Sequence, residues 1–257
     1  MHAVRFVAVG ELLVDVVAEG GGHGAHISVG PGGSAFNAAA TAVAVGAEAA
    51  VIGAVGDDSA GRMIVAELEA RGVRAVDVAV AGRPTGAFLA DEDGIRVDRG
   101  ASLELVLPER IEGDAVLVSG FLPTDTIESA LARAQAPWKA LDAARLDAVP
   151  IGANALLANE EAARRLTGAE PEQAARALGR RHRLVCVTRG RWGAVAVLDG
   201  RLETARPAAS VATDRPGAGD AFAAALLVAL ARGADLAGAL ADACRWGARA
   251  AALESPA

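Results

Sequence analysis

Apolar residues in this chain fall into short β-branched runs and longer alanine-rich stretches, and the two kinds of segment alternate from end to end. Residues 5–9 form a β-branched run that ends at Gly10, and residues 12–17 keep strand-like composition up to the glycines Gly20, Gly21, Gly22 and Gly24. Residues 34–45 are alanine-rich and close at Gly46, which predicts a helix with Ser34 as its N-cap. A buried strand over 50–55 follows. Residues 59–71 carry Met63, Ile64, Ala66 and Leu68 and stop at Gly72, which predicts a second helix, with a strand over 76–80 after it.

Residues 85–90 and 95–98 flank Asp91, Glu92, Asp93 and Gly94, a turn suited to a hairpin, and with residues 12–30 they could build a small accessory sheet. From Asp114 onward, strands over 115–118, 184–187 and 194–198 alternate with helices over 126–136 and 171–181. Two last helices, 219–232 and 236–253, are separated by Gly233. Such alternation predicts an α/β fold, doubly wound, with a mostly parallel sheet flanked by helices and a small β sheet beside it. The length of 257 residues suits a single domain over 1–257.

Composition narrows the function. Apolar residues are 53% of the chain and charged residues 22%, enough for a core and unlike a disordered chain. A net charge of -7 argues against a nucleic-acid binder, which needs basic surface, yet backbone dipoles can still hold a small anion. Cys186 and Cys244 are far apart and outside any metal-binding spacing, so both read as buried small hydrophobes. Neither a signal peptide nor an 18-residue apolar segment is visible, so a cytoplasmic protein without a membrane partner is expected.

The densest chemistry lies in residues 214–222, where Gly217, Ala218 and Gly219 precede Asp220 and a helix-forming run. Glycines that open a helix leave backbone N–H groups free for a phosphate, and an aspartate in that first turn stands where an attacking hydroxyl must lose its proton. Asp220 is therefore a candidate base; the alternative is an ordinary helix-start acid. Earlier, Gly32 and Gly33 precede Ser34 and Asn37, so a ligand could approach the backbone while Asn37 bonds its hydroxyls. Alone, that stretch reads more often as a tight strand-to-helix turn with Asn37 as a buried amide.

Residues 31–46, then Val55, Gly56, Asp57, Asp58 and Gly61, and later residues 214–222, stand in the order that marks the ribokinase-like (PfkB) carbohydrate kinases, and the chain resembles that family over nearly its whole length. The resemblance implies a ribokinase-like fold with a lid formed by about 12–30 and 85–100, ATP as phosphoryl donor and Mg2+ as the ion. It implies that Asp15, Gly32, Gly33, Asn37 and Arg99 bind a sugar or sugar acid, and that Asn159, Thr188, Gly190 and Gly193 line the nucleotide side. Gly217, Ala218 and Gly219 would form the anion hole and Asp220 would take the hydroxyl proton. In many relatives the lid also makes a homodimer.

The chain departs from the family pattern in places. Three residues after Asn159, where a glutamate is usual, it has Ala162; Glu160 and Glu161 sit about 100° and 200° away on a helix, so neither substitutes simply for it, and Glu161 is a weak candidate for a metal ligand. Pro216 replaces a threonine, but a proline just ahead of a helix start is tolerated and the anion hole should survive; the chain ends soon after Leu253, so activation by potassium at the position of Asp214 is not expected. Two other readings stay open: a nucleoside kinase of the same fold, for which only Phe88 and Phe36 could stack on a base, and a non-catalytic sugar-binding sensor.

Overall fold

The computed structural model describes residues 3–206 and 217–252. Asp214, Pro216 and Leu253, on which three of the expectations above fall, lie outside the described residues.

The chain begins with β1 (Arg5–Val9), leaves for β2 (Leu13–Glu19) and β3 (His26–Gly32) of a second sheet, and returns through α1 (Ser34–Ala44) to β4 (Glu48–Gly56). Helix α2 (Ser59–Ala70) leads to β5 (Arg74–Ala81), after which β6 (Thr85–Asp91) and β7 (Gly94–Gly100) complete the second sheet. Then come β8 (Ile111–Glu112), β9 (Ala115–Ser119), α3 (Thr124–Arg133), β10 (Ala134–Gln135), β11 (Trp138–Asp142), β12 (Ala155–Asn159), α4 (Glu160–Thr167) and α5 (Pro171–Leu178). The antiparallel edge β13 (Leu184–Thr188), β14 (Ala194–Leu198) and β15 (Arg201–Ala205) precedes α6 (Ala218–Ala231) and α7 (Leu236–Ala252).

The main sheet has the order β15-β14-β13-β12-β11-β9-β1-β4-β5, parallel from β13 to β5. From β1 the chain winds one way to β4 and β5, then returns to β9 and winds the other way to β11, β12 and β13. The reversal falls between β1 and β9, and in open α/β sheets the crevice beyond the strand ends at such a point is where ligands bind. The doubly wound expectation holds.

Two cores pack the sheet. One face carries α1, α2, α6 and α7 through residues such as Ala38, Ile64, Leu226 and Leu240; the other carries α3, α4 and α5 through Ile127, Ala163 and Ala174. Helix α6 is buried nearly all round, from Ala221 to Val228, because it lies against both α1 and α7. Ala35, Ala38, Ala39 and Ala42 keep α1 thin enough for that approach, and each buried leucine of α6 stabilises the fold by about 2 to 5 kcal/mol against truncation. Such packing holds the two helix starts, and thus the candidate site, in fixed register.

Three local expectations change. Ser34 is the first residue of α1 and not its cap: Gly33 takes the cap position and the Ser34 hydroxyl donates to Glu11 instead. The helix expected over 126–136 is Thr124–Arg133, because Ala134–Gln135 pairs with Ile111–Glu112 as a short strand. The helix expected over 171–181 ends at Leu178. Both cysteines are buried and free, as read from the sequence.

The second sheet has the order β3-β2-β6-β7. Asp58 ties it to the main body: its carboxylate caps α2 by accepting from the Gly61 amide at 2.8 Å and accepts from the Thr85 amide and hydroxyl, both at 2.7 Å. The Thr85 hydroxyl also accepts from the Gly56 amide at 2.9 Å, and these bonds hold the Asp58 carboxyl below its usual range. Gly56, Asp58, Gly61 and Thr85, scattered in the sequence, thus form one clamp at the root of β6.

Candidate active site

The ends of the parallel strands form a continuous rim. Ser119 of β9 is in register with Asp142 of β11, and Asn159 of β12 with Thr188 of β13. Above this rim stand the starts of α1 and α6. Gly33 has φ +95°, and a Cβ there would lie 2.4 Å from the Glu11 carbonyl, so only glycine lets the chain turn from β3 into α1 at that spot. Asn37, one turn into α1, donates through Nδ2 to Oδ2 of Asp220 at 3.1 Å. Gly217 caps α6 with φ +88° and packs against the same Asn37 side chain.

Helix geometry leaves the amides of Ala218, Gly219 and Asp220 without intrahelical partners; the Ala221 amide, the next along, already donates to the Gly217 carbonyl at 2.9 Å. Among the described residues nothing lies within 4 Å of a Cβ placed at Gly219, so the helix start is open on that side. Free amides at the positive end of a 14-residue helix make an anion-binding site, and Asp220 sits inside it.

Beneath Asp220 lies a set of acids. Glu11, buried just after β1, accepts through Oε2 from the hydroxyls of Ser34 and Ser119, both at 2.8 Å. Asp142 accepts from the Ala144 amide at 3.0 Å. Burial pushes the Asp220 carboxyl up to about 8, and the charges of Asp142, Glu11 and Asp15 add to that, while the Asn37 hydrogen bond works against it. Burial likewise raises Asp142 to about 6, opposed by the Ala144 amide and helped by Glu11. A base that is this reluctant to ionise is well matched to a hydroxyl proton near neutral pH.

On the second sheet, Asp15 of β2 stands in one row with Gly30, Phe88 and Val97, and Arg99, two residues along β7 from Val97, shares that face. The Asp15 carboxyl overlies Gly32 so closely that a Cβ there would come within 2.2 Å of it. Burial raises Asp15 to about 6. Arg99 is half-buried. The structure therefore brings Asp15, Gly32, Gly33, Asn37 and Asp220 to one region and puts Arg99 on the same sheet face as Asp15.

On the other side, Asn159 spends its Oδ1 on the Ala162 amide as the cap of α4, at 2.8 Å, and Thr188 donates to the Ala158 carbonyl. Gly190 and Gly193 flank a short helical turn between β13 and β14, both with positive φ. Beside them, Arg189 has a buried Nε with no hydrogen-bond partner among the described residues. Glu161 is not brought to this group: it lies on the exposed side of α4 and pairs with Arg165 at 3.3 Å. Ala162 is fully buried among Ala158, Ala163 and Ala174, so its side chain faces the core.

Sequence reasoning missed Asp142. Its strand is only Trp138–Asp142 with Lys139 inside it, too short and too polar to be read as a buried strand. The available signal was positional: an acid directly after an apolar pair, in a chain whose other strand ends already carried the chemistry.

A doubly wound sheet with an anion-binding helix start and a basic aspartate at its switch point is the layout of a phosphotransferase. Residues 4–255 match the model of the pfkB family carbohydrate kinases, and the chain belongs to that family. Ribokinase of Arabidopsis thaliana, solved with ribose and ATP, is 25% identical and superposes with a TM-score of 0.79 over 98% of this chain and 92% of that one. Two further structures share the fold. A fructokinase double mutant from Vibrio cholerae O395, solved with fructose, ADP and potassium ion, has a TM-score of 0.80 at 22% identity, over 98% and 93% of the two chains. Adenosine kinase from Sinorhizobium meliloti has 0.77 at 21% identity, over 96% and 93%. No curated protein sequence matches the chain. No described helix is long and apolar enough to cross a membrane.

Proposed function

We propose that the protein transfers the γ-phosphoryl group of ATP to a hydroxyl of a sugar or sugar acid, with Asp220 as the general base. The observation that carries this reading is the Asp220 carboxylate, made basic by its surroundings, held by Asn37 inside the anion-binding start of α6. The hydroxyl proton goes to Asp220 as the oxygen bonds to phosphorus and the bond to the departing ADP oxygen breaks. Meanwhile the amides after Gly217, with Ala218 and Gly219, stabilise the charge on the phosphoryl oxygens.

Asp15 and Asn37 orient the sugar hydroxyls over Gly32 and Gly33, and Arg99 meets a carboxylate or the ring oxygens from the same sheet face. Asn159, Thr188, Gly190 and Gly193 line the nucleotide. Among the described residues no three acidic, histidine or cysteine side chains converge to hold a metal, so Mg2+ would enter with the nucleotide phosphates, with at most one or two carboxylates of the site helping to hold it. It supplies charge neutralisation on the phosphates. The second sheet acts as a lid of one domain, rooted in the Asp58 clamp. Exposed Ile27 and Val29 on β3, on the face opposite Asp15, suit a homodimer formed through it.

Of the two aromatics that could serve a nucleoside, Phe36 is buried under Arg71, which leaves Phe88 alone and favours the sugar reading. The test is ATP consumption against a panel of sugars, sugar acids and nucleosides. Turnover with a sugar or sugar acid supports the proposal; turnover with nucleosides alone replaces it, and binding without turnover makes the protein a sensor.

A further inference from the structure

We propose that Asp142 is a positioning residue for phosphoryl transfer, acting through Asp220: across a small cavity at the switch point a water links the two carboxylates, which hold one proton between them, and once that proton is lost the charge of Asp142 makes Asp220 a stronger base toward the substrate hydroxyl. The inference rests on the reading of Asp220 as that base.

The cavity is lined by Ser34, Ser119, Asp142 and Asp220 over a floor of Ala8, Val9, Ala35, Ala38 and Leu117, with room for about one water molecule. Its polar groups are unevenly committed. The hydroxyls of Ser34 and Ser119 both donate to Glu11, one Asp142 oxygen takes the Ala144 amide, and one Asp220 oxygen takes Asn37. Among the described residues no donor reaches the other carboxylate oxygens of Asp142 and Asp220. Two acids that border one small space without a cation cannot both ionise freely, and a water between them is the group that lets them hold a single proton.

Among the described residues the charged and titratable groups facing Asp220 are Asp142 from β11, Glu11 after β1 and Asp15 from β2, and Asn37 from α1 is the opposing hydrogen-bond donor. After its burial, the Asp142 charge is the largest influence raising the Asp220 carboxyl, ahead of Glu11 and Asp15. Asp142, on β11 of the main sheet, is not among the residues read as touching the sugar, so its removal should alter the base and leave the substrate contacts in place.

The experiment is the pH dependence of kcat/KM, measured with the best substrate, for wild type, Asp142→Asn and Asp220→Asn. Asp142→Asn keeps an acceptor for the Ala144 amide. With the neighbouring charge gone, the acid limb of the profile should move down by about one pH unit and the plateau should fall several-fold, with KM for sugar and ATP within about twofold of wild type. Asp142→Ser, which also keeps an acceptor, should give the same displacement, and it covers the case in which the asparagine variant does not fold. An acid limb that stays in place in the folded variants, whatever happens to the plateau, overturns the proposal. The reading of the site is tested separately: if Asp220→Asn keeps its turnover, the base assignment fails first. An inactive Asp220→Asn beside an unmoved limb in Asp142→Asn sinks the coupling alone.

Discussion

Replacing Asp220 with asparagine should make the folded protein more stable at alkaline pH, the opposite of what a helix-start acid predicts. Asp220 has a folded-state value of about 8 against an ordinary 3.8. Between those values the unfolded chain releases the proton while the folded protein keeps it, so stability falls as pH rises through the window and levels off above about 8. At about 1.4 kcal/mol per pH unit, the four-unit gap sets a ceiling of about 5 to 6 kcal/mol. Asp142 titrates in the same window and shares the load, which brings the expected gain for Asp220→Asn at pH 8.5 to about 2 to 4 kcal/mol. The loss of a favourable helix-dipole contact is only about 0.3 to 1 kcal/mol and does not change the sign. Urea unfolding of both proteins at pH 5 and pH 8.5, with the slope checked for equality, reads the difference directly. A variant that is less stable than wild type at both pH values, or a difference that does not grow with pH, would refute the reasoning.

Other consequences follow from the same geometry. Asp15→Ala should weaken sugar binding by about 2 to 3 kcal/mol, as the loss of charged hydrogen bonds does, with ATP affinity unchanged by isothermal titration. Because Asp15 binds hydroxyls as a carboxylate and sits near 6, the sugar KM should rise as pH falls below about 6, and a flat KM between pH 5 and 8 would remove Asp15 from the sugar site. Ala162→Glu places a carboxylate in the core under α4 and should cost about 3 kcal/mol or more of stability, measured by thermal melting; an unchanged melting temperature would mean that position 162 faces the site after all. Chelation of divalent ions should abolish turnover, and full activity in excess EDTA would exclude the metal-assisted scheme.

Much of this was legible in the sequence because it is local. Glycines beside short apolar runs mark the ends of strands and the starts of helices, so Gly32, Gly33, Gly217 and Gly219 announced the turns into α1 and α6, and the turn at Asp91 to Gly94 announced the hairpin β6–β7. What stayed hidden depends on distant contacts. Ser34 looks like a cap until Glu11, 23 positions earlier, takes its hydroxyl. Asn37 and Asp220 are 183 positions apart and meet only because α1 and α6 are alanine-thin. Asp58 and Thr85 lie in separate motifs and become one clamp through two hydrogen bonds. Ala162 reads as a missing ligand on a helical wheel, yet the cap formed by Asn159 turns that position into the core. Asp142 carried no motif, and its importance comes from the charges around it.

The central claim is that Asp220 removes the proton from the substrate hydroxyl, and turnover of Asp220→Asn tests it most directly. With the best substrate from the panel, at saturating ATP and pH 8, the account predicts a fall in kcat of about 10² to 10⁴, the range for a lost general base. ATP affinity should be retained, because the amides of Ala218 and Gly219 remain and a negative charge near the phosphates is gone. A folded variant that keeps more than about a tenth of wild-type kcat would contradict the account.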